Sequence, residues 1–97
     1  MPEDEYALDE ETASFVNKMI EKLEMSPNFA DSTGVLYKRY EKVIGEIQKD
    51  RRFITATATL YAFSKRTKTP YTLDEIVDAS EPPVSRIDVG RSYNKLR

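Results

Sequence analysis

Between Phe53 and Phe63 the chain reads Phe-Ile-Thr-Ala-Thr-Ala-Thr-Leu-Tyr-Ala-Phe, eleven residues without a charge. In a sequence that is 33% Asp, Glu, Lys and Arg, a stretch like this has to be enclosed by the rest of the chain. Whether it is helix or strand decides the fold class. The alternation of Thr and Ala has the period of a strand, and threonine favours strands. Three considerations outweigh that. The run exceeds the usual strand of about five or six residues, alanine is the strongest helix former, and no other segment offers a strand to pair with. The run is therefore predicted as a central helix, with Ala56, Ala58 and Ala62 allowing neighbouring backbones to come close.

Four further helices are expected around it. Asp9 or Thr12 caps the first, on which Phe15, Val16, Met19, Ile20 and Leu23 recur at helical spacing. Ser26 caps the second, with Pro27 in its first turn. Its predicted apolar stripe is Val35, Leu36, Tyr40, Val43, Ile44 and Ile47, with Lys38, Arg39 and Lys42 off the stripe. Gly34 and Gly45 mark a close crossing or a helix end. Thr72 and Glu75 form the capping box of the fourth helix, on which Leu73, Ile76 and Val77 face inward. Ser80-Glu81-Pro82-Pro83 breaks the chain. Ser85 caps the fifth helix, whose buried stripe is Val89, Tyr93 and Leu96, and Gly90 suggests tight packing against the central helix. Residues 1–8, polar and acidic with an early proline, are predicted to be a flexible arm. Residues 9–97 then make one all-α, five-helix domain whose third helix is central.

With no cysteine and no histidine, disulfides, thiol nucleophiles and the commonest metal ligand and near-neutral base are all missing. No enzyme chemistry, cofactor or metal is expected. Neither a membrane span nor a signal peptide is legible, and an intracellular protein is the default. The formal net charge is −2, unevenly spread. Residues 1–24 hold eight acids and two bases, whereas residues 51–97 hold five acids and nine bases. An acidic chain with a basic second half can present one face to nucleic acid; a solubilising arm attached to a mixed surface accounts for the imbalance as well.

Three short segments carry a resemblance. Leu60-Tyr61-Ala62-Phe63-Ser64-Lys65-Arg66, then Pro70-Tyr71-Thr72-Leu73-Asp74-Glu75-Ile76, then Val89-Gly90-Arg91-Ser92-Tyr93 resemble, in that order, the first cyclin-like repeat of general transcription initiation factor B, the archaeal factor or its eukaryotic counterpart, factor IIB. The likeness is clearest over residues 53–97 and extends back to about residue 9. It implies a cyclin-like domain of five helices around the third. It further implies a module that clamps TATA-binding protein on bent promoter DNA, touches phosphates beside the TATA element and helps recruit RNA polymerase. The location implied is the cytoplasm of an archaeon or the nucleus of a eukaryote, and the isolated domain is expected to be a monomer. The family's zinc ribbon and second repeat are missing here, and an end at Arg97, just after the fifth helix, fits an excised domain. Lys65 and Tyr71 stand where the family usually carries Arg, and Arg86-Ile87 where factor IIB often has two successive bases.

The resemblance makes Arg51, Arg52, Lys65, Arg66, Lys68, Arg86, Arg91 and Lys95 the candidate DNA contacts, all to phosphates rather than bases. Each has a plainer reading. Arg86 lies in the first turn of the fifth helix, where free N–H groups favour phosphate; a solvated face explains it equally. Arg91 and Lys95 fit a solvated face, with Asp88 or Asp74 as partners of Arg91. Arg51 and Arg52 oppose the dipole of the central helix if they begin it, and cost nothing if they precede it. Lys65, Arg66 and Lys68 are favourable at a helix C-terminus in any protein. The tyrosines at 37, 40, 61 and 93 read as core or core-edge residues with the hydroxyl in water, and Tyr71 as exposed. Two other readings remain open: a protein-only, cyclin-type adaptor docking partner helices, and a helix-turn-helix operator-binding regulator. The latter would normally dimerise and calls for base-edge residues such as Asn, Gln or Arg along the fifth helix, where Asn94 comes too late to help much.

Overall fold

The uncharged run forms a helix. In the computed structural model, which describes residues 9–45, 47–48, 51–67 and 71–96 without the side chains of Ile44 and Leu96, the elements in order are α1 (Glu10–Lys22), α2 (Asn28–Ile44), α3 (Arg52–Ser64), α4 (Leu73–Asp78) and α5 (Arg86–Leu96). No strand occurs among the described residues. The expected arm at 1–8, Lys68, and the inward roles given to Ile44 and Leu96 lie outside what is described.

α3 is the axis. It packs against α1, α2, α4 and α5, while α1 also meets α2 and α4 meets α5. Its residues Thr55, Ala56, Thr57, Ala58, Thr59, Leu60 and Ser64 are buried. Buried hydroxyls need partners, and two of the threonines find them in their own helix. Thr57 Oγ1 donates to the Phe53 carbonyl and Thr59 Oγ1 to the Thr55 carbonyl, each at 2.7 Å. The methyl groups are left for packing, so threonine behaves here as a compact apolar residue.

α1 begins as the sequence suggests. The Asp9 carboxylate accepts from the Thr12 N–H at 3.2 Å, and the buried Thr12 hydroxyl donates back to it at 2.7 Å. Phe15, Val16, Met19 and Ile20 are buried, and Phe15 stacks face to face on Phe53 of α3 at 4.3 Å between ring centres. The helix closes without glycine. Glu24 adopts φ 55°, its N–H donates to the Glu21 carbonyl, and the Met25 N–H reaches back to Ile20, which satisfies two carbonyls of the last turn.

α2 differs from the expected pattern. It starts at Asn28 rather than Pro27, and the Ser26 hydroxyl accepts only a long bond, 3.4 Å, from the Asn28 N–H. Its buried residues are Thr33, Gly34 and Tyr37, and Phe29, Ala30 and Tyr40, the last expected inward, pack partly buried against the core. Val43, assigned inward from the sequence, is 82% exposed, and Val35 and Leu36 are only partly buried. The stripe of Val and Leu is thus not the buried one. Gly45 does end the helix, with φ 94°, and Ile47 beyond it is buried.

The capping box of α4 is complete. Thr72 Oγ1 accepts from the Glu75 N–H at 3.1 Å, and the Glu75 carboxylate accepts from the Thr72 N–H at 2.9 Å. Ile76 is buried beneath it, with Leu73 and Val77 partly buried. Ser80, itself buried, stitches the turn that follows by donating to the Val77 carbonyl at 2.6 Å and accepting from the Val84 N–H at 3.2 Å. Ser85 caps α5 through the Asp88 N–H at 3.3 Å, and Val89 is fully buried. Gly90 does not mark a tight crossing. A side-chain carbon placed there would meet Leu73 of α4 at 3.9 Å, ordinary contact, and not the central helix.

Candidate nucleic-acid interface

α3 is thirteen residues long, so its ends are separated by roughly 18 Å along the axis. That length divides the candidate cations. Arg51 and Arg52 lie at the N-terminal end, Lys65 and Arg66 at the other. Arg51 is exposed and Arg52 is the first helical residue. Arg52 reaches across to Asp9, 3.7 Å away, which gives this cation a structural partner at the helix end where its charge is otherwise unfavourable. Burial pushes the Asp9 carboxyl up; the two hydrogen bonds from Thr12 and the Arg52 charge outweigh it, and the net shift is downward.

At the C-terminal end a cleft of about 480 Å3 is lined by Tyr61, Lys65, Tyr71, Thr72, Leu73, Asp74 and Arg86. Two of the candidates meet here. Lys65 projects from the last turn of α3 over the rings of Tyr61 and Tyr93, 5.4 and 5.7 Å from their centres, an arrangement that steadies the ammonium without neutralising it. Tyr61 and Tyr93 touch edge to face at 4.9 Å, fixing α5 against α3. Arg86 enters from the first turn of α5 and forms an ion pair with Asp74 of α4. Asp74, suggested as a partner for Arg91, is therefore held by Arg86. The pair is well exposed on both sides, so water and salt weaken it. The cleft carries two cations against one carboxylate.

Tyr71 is not the exposed residue the sequence suggested. It is half-buried, its backbone N–H donates to the buried Ser64 Oγ at 2.9 Å, and its hydroxyl donates to the Leu23 carbonyl at 2.8 Å. It forms a wall of the cleft. Arg91 and Lys95 are exposed further along α5. Arg66 turns to a different groove, where it joins Arg39 of α2, a residue that sequence spacing left as ordinary surface.

Tyr37 lies in the core, as its spacing suggests, but its hydroxyl does not reach water. Its side chain is 2% exposed, and neither its hydroxyl nor that of Thr33, one turn earlier, has a hydrogen-bond partner among the described residues. Burial, reinforced by the Glu41 carboxylate, pushes the Tyr37 phenol up to about 12. Compared with models of known families, with characterised proteins and with solved structures, the chain matches none.

Proposed function

We propose that this chain is a promoter-complex binding module of a general transcription initiation factor, built as a cyclin-like repeat, which contacts TATA-binding protein and DNA phosphates and helps to recruit RNA polymerase. The observation that carries the proposal is the cleft in which Lys65, from the end of α3, and Arg86, from the start of α5, converge. Two of the three segments that resemble factor B supply its walls, and the third contributes Tyr93, on which Lys65 rests. A phosphate entering the cleft exchanges the exposed Asp74–Arg86 contact for a charge-assisted bond to Arg86 and gains Lys65. The arrangement of five helices about the third supports the same reading.

A mobility-shift titration tests it, with promoter DNA alone and with TATA-binding protein already bound. The expected result is a shift that is tighter in the presence of TATA-binding protein and weakens as salt rises. The double variant Lys65→Glu, Arg86→Glu is expected to weaken it about tenfold or more and to flatten the salt dependence, as removal of two phosphate contacts requires. Identical shifts with and without TATA-binding protein rule out the clamp. An unchanged shift in the double variant rules out the cleft as the contact.

A further inference from the structure

α2 has a second apolar stripe that the rest of the chain covers only in part, Val35 and Leu36 being half-buried and Val43 exposed. Its core contact is made by Phe29, Ala30, Thr33, Gly34, Tyr37 and Tyr40, yet Val35, Leu36 and Val43 recur at i, i+1 and i+8 on another face, around Arg39. A helix packed on one side only does not need a second apolar face. Val35 and Leu36 join Phe63 of α3 in a groove of about 280 Å3, whose remaining walls are Asp31, Ser32, Arg39 and Arg66. Phe63 is braced by Phe29, edge to face at 4.9 Å. Val43 extends the face by one turn beyond Arg39.

The charge at the rim says what fits. Neither Arg39 nor Arg66 makes an ion pair among the described residues, and together they exceed the single carboxylate of Asp31. The groove thus sets a net positive rim around an apolar floor on a chain whose net charge is −2. We infer that this groove docks an amphipathic helix of a partner protein, laying bulky apolar side chains on Leu36 and Phe63 and setting acidic side chains against Arg39 and Arg66. The site shares no lining residue with the Lys65–Arg86 cleft and needs no DNA, so it does not rest on the promoter reading.

The probe is a synthetic amphipathic helix with leucines at i, i+3, i+4 and i+7 flanked by glutamates, labelled for fluorescence anisotropy and paired with a copy carrying lysine in place of each glutamate. The acidic peptide is expected to bind, more weakly as salt rises, and the basic copy not to. Arg39→Glu with Arg66→Glu is expected to reduce the affinity about tenfold or more, with the helical circular dichroism of the protein unchanged because both positions are exposed. Lys95→Glu, on α5, is the control and should leave binding intact. Equal binding of the two peptides, or an affinity untouched by the double reversal, overturns the inference. So does sedimentation showing that the chain alone dimerises through this face, with the dimer lost in Leu36→Asp, since the occupant is then a second copy.

Discussion

The Tyr71 hydroxyl donates to the backbone carbonyl of Leu23, 48 residues earlier in the chain, at 2.8 Å. It joins the end of α1 to the segment between α3 and α4, and the same residue's N–H is bound to Ser64 at the end of α3. Three pieces of chain are thereby fixed at one point. Tyr71→Phe removes only the long-range bond and is expected to cost about 1 kcal/mol in urea denaturation. No loss would show that the Leu23 carbonyl is equally well served by water.

Glu24 is a second point of economy. It holds φ 55°, a conformation that costs a residue with a Cβ roughly 1–2 kcal/mol, whereas glycine adopts it freely. Allowing for the extra freedom glycine gives the unfolded chain, Glu24→Gly is expected to raise stability by about 0.5–1 kcal/mol. Thermal unfolding measures this directly, and a lower midpoint for the variant contradicts the left-handed turn.

Tyr37 buries a hydroxyl that has no partner among the described residues. Tyr37→Phe removes the unsatisfied group while keeping the ring, and a gain of about 1 kcal/mol is expected. The pH dependence follows in sign. Because the folded phenol ionises near 12 and the unfolded one near about 10, folding is favoured fully below the lower value. That share of stability declines as pH rises through the higher one. In Tyr37→Phe that part of the alkaline loss should vanish, a difference visible in denaturation curves taken at successive pH values.

Asp9 works in the opposite direction. Its carboxyl is held below the ordinary 3.8, so its contribution is complete above the unfolded value and is lost as pH falls through the folded one. Asp9→Ala forfeits the cap of α1 and should cost about 1 kcal/mol at neutral pH. Asp9→Asn keeps a capping oxygen and loses only the charge, so it should cost less, with its deficit shrinking as the wild-type carboxylate is protonated. A deficit for Asp9→Asn that persists unchanged in strong acid would assign the effect to something other than the carboxylate charge.

The sequence revealed α1, α3, α4 and α5 because their signals are local: helical spacing of Phe15, Val16, Met19 and Ile20, the uncharged run, and capping serines and threonines at their helix starts. α2 was located and Tyr40 was rightly turned inward, but the Val and Leu of its expected stripe are not its buried side. Val35, Leu36 and Val43 outweigh Thr33, Gly34 and Tyr37 on any hydrophobicity count, yet the latter three, small or flat, are what the buried side accommodates. Met25-Ser26-Pro27 announced a break after α1, but the turn itself was invisible because nothing in Glu24 announces a left-handed residue. Among the candidate cations, type and position were legible, but pairing was not. Asp9 with Arg52 and Asp74 with Arg86 are brought together only by the packing of α1 on α3 and of α4 on α5. For the same reason the partnership of Arg39 and Arg66 around one groove depends on the fold, not on spacing.

The two threonine hydroxyls that α3 returns to its own backbone have a consequence for how such a domain changes over time. A central helix that satisfies these groups internally asks its neighbours for shape there rather than for matching donors or acceptors. Residues on the outer faces of the surrounding helices can then be exchanged, charge for charge or groove for groove, without re-solving the chemistry of the middle. The core acts as a neutral spindle, and the surfaces that choose partners can be rewritten around it.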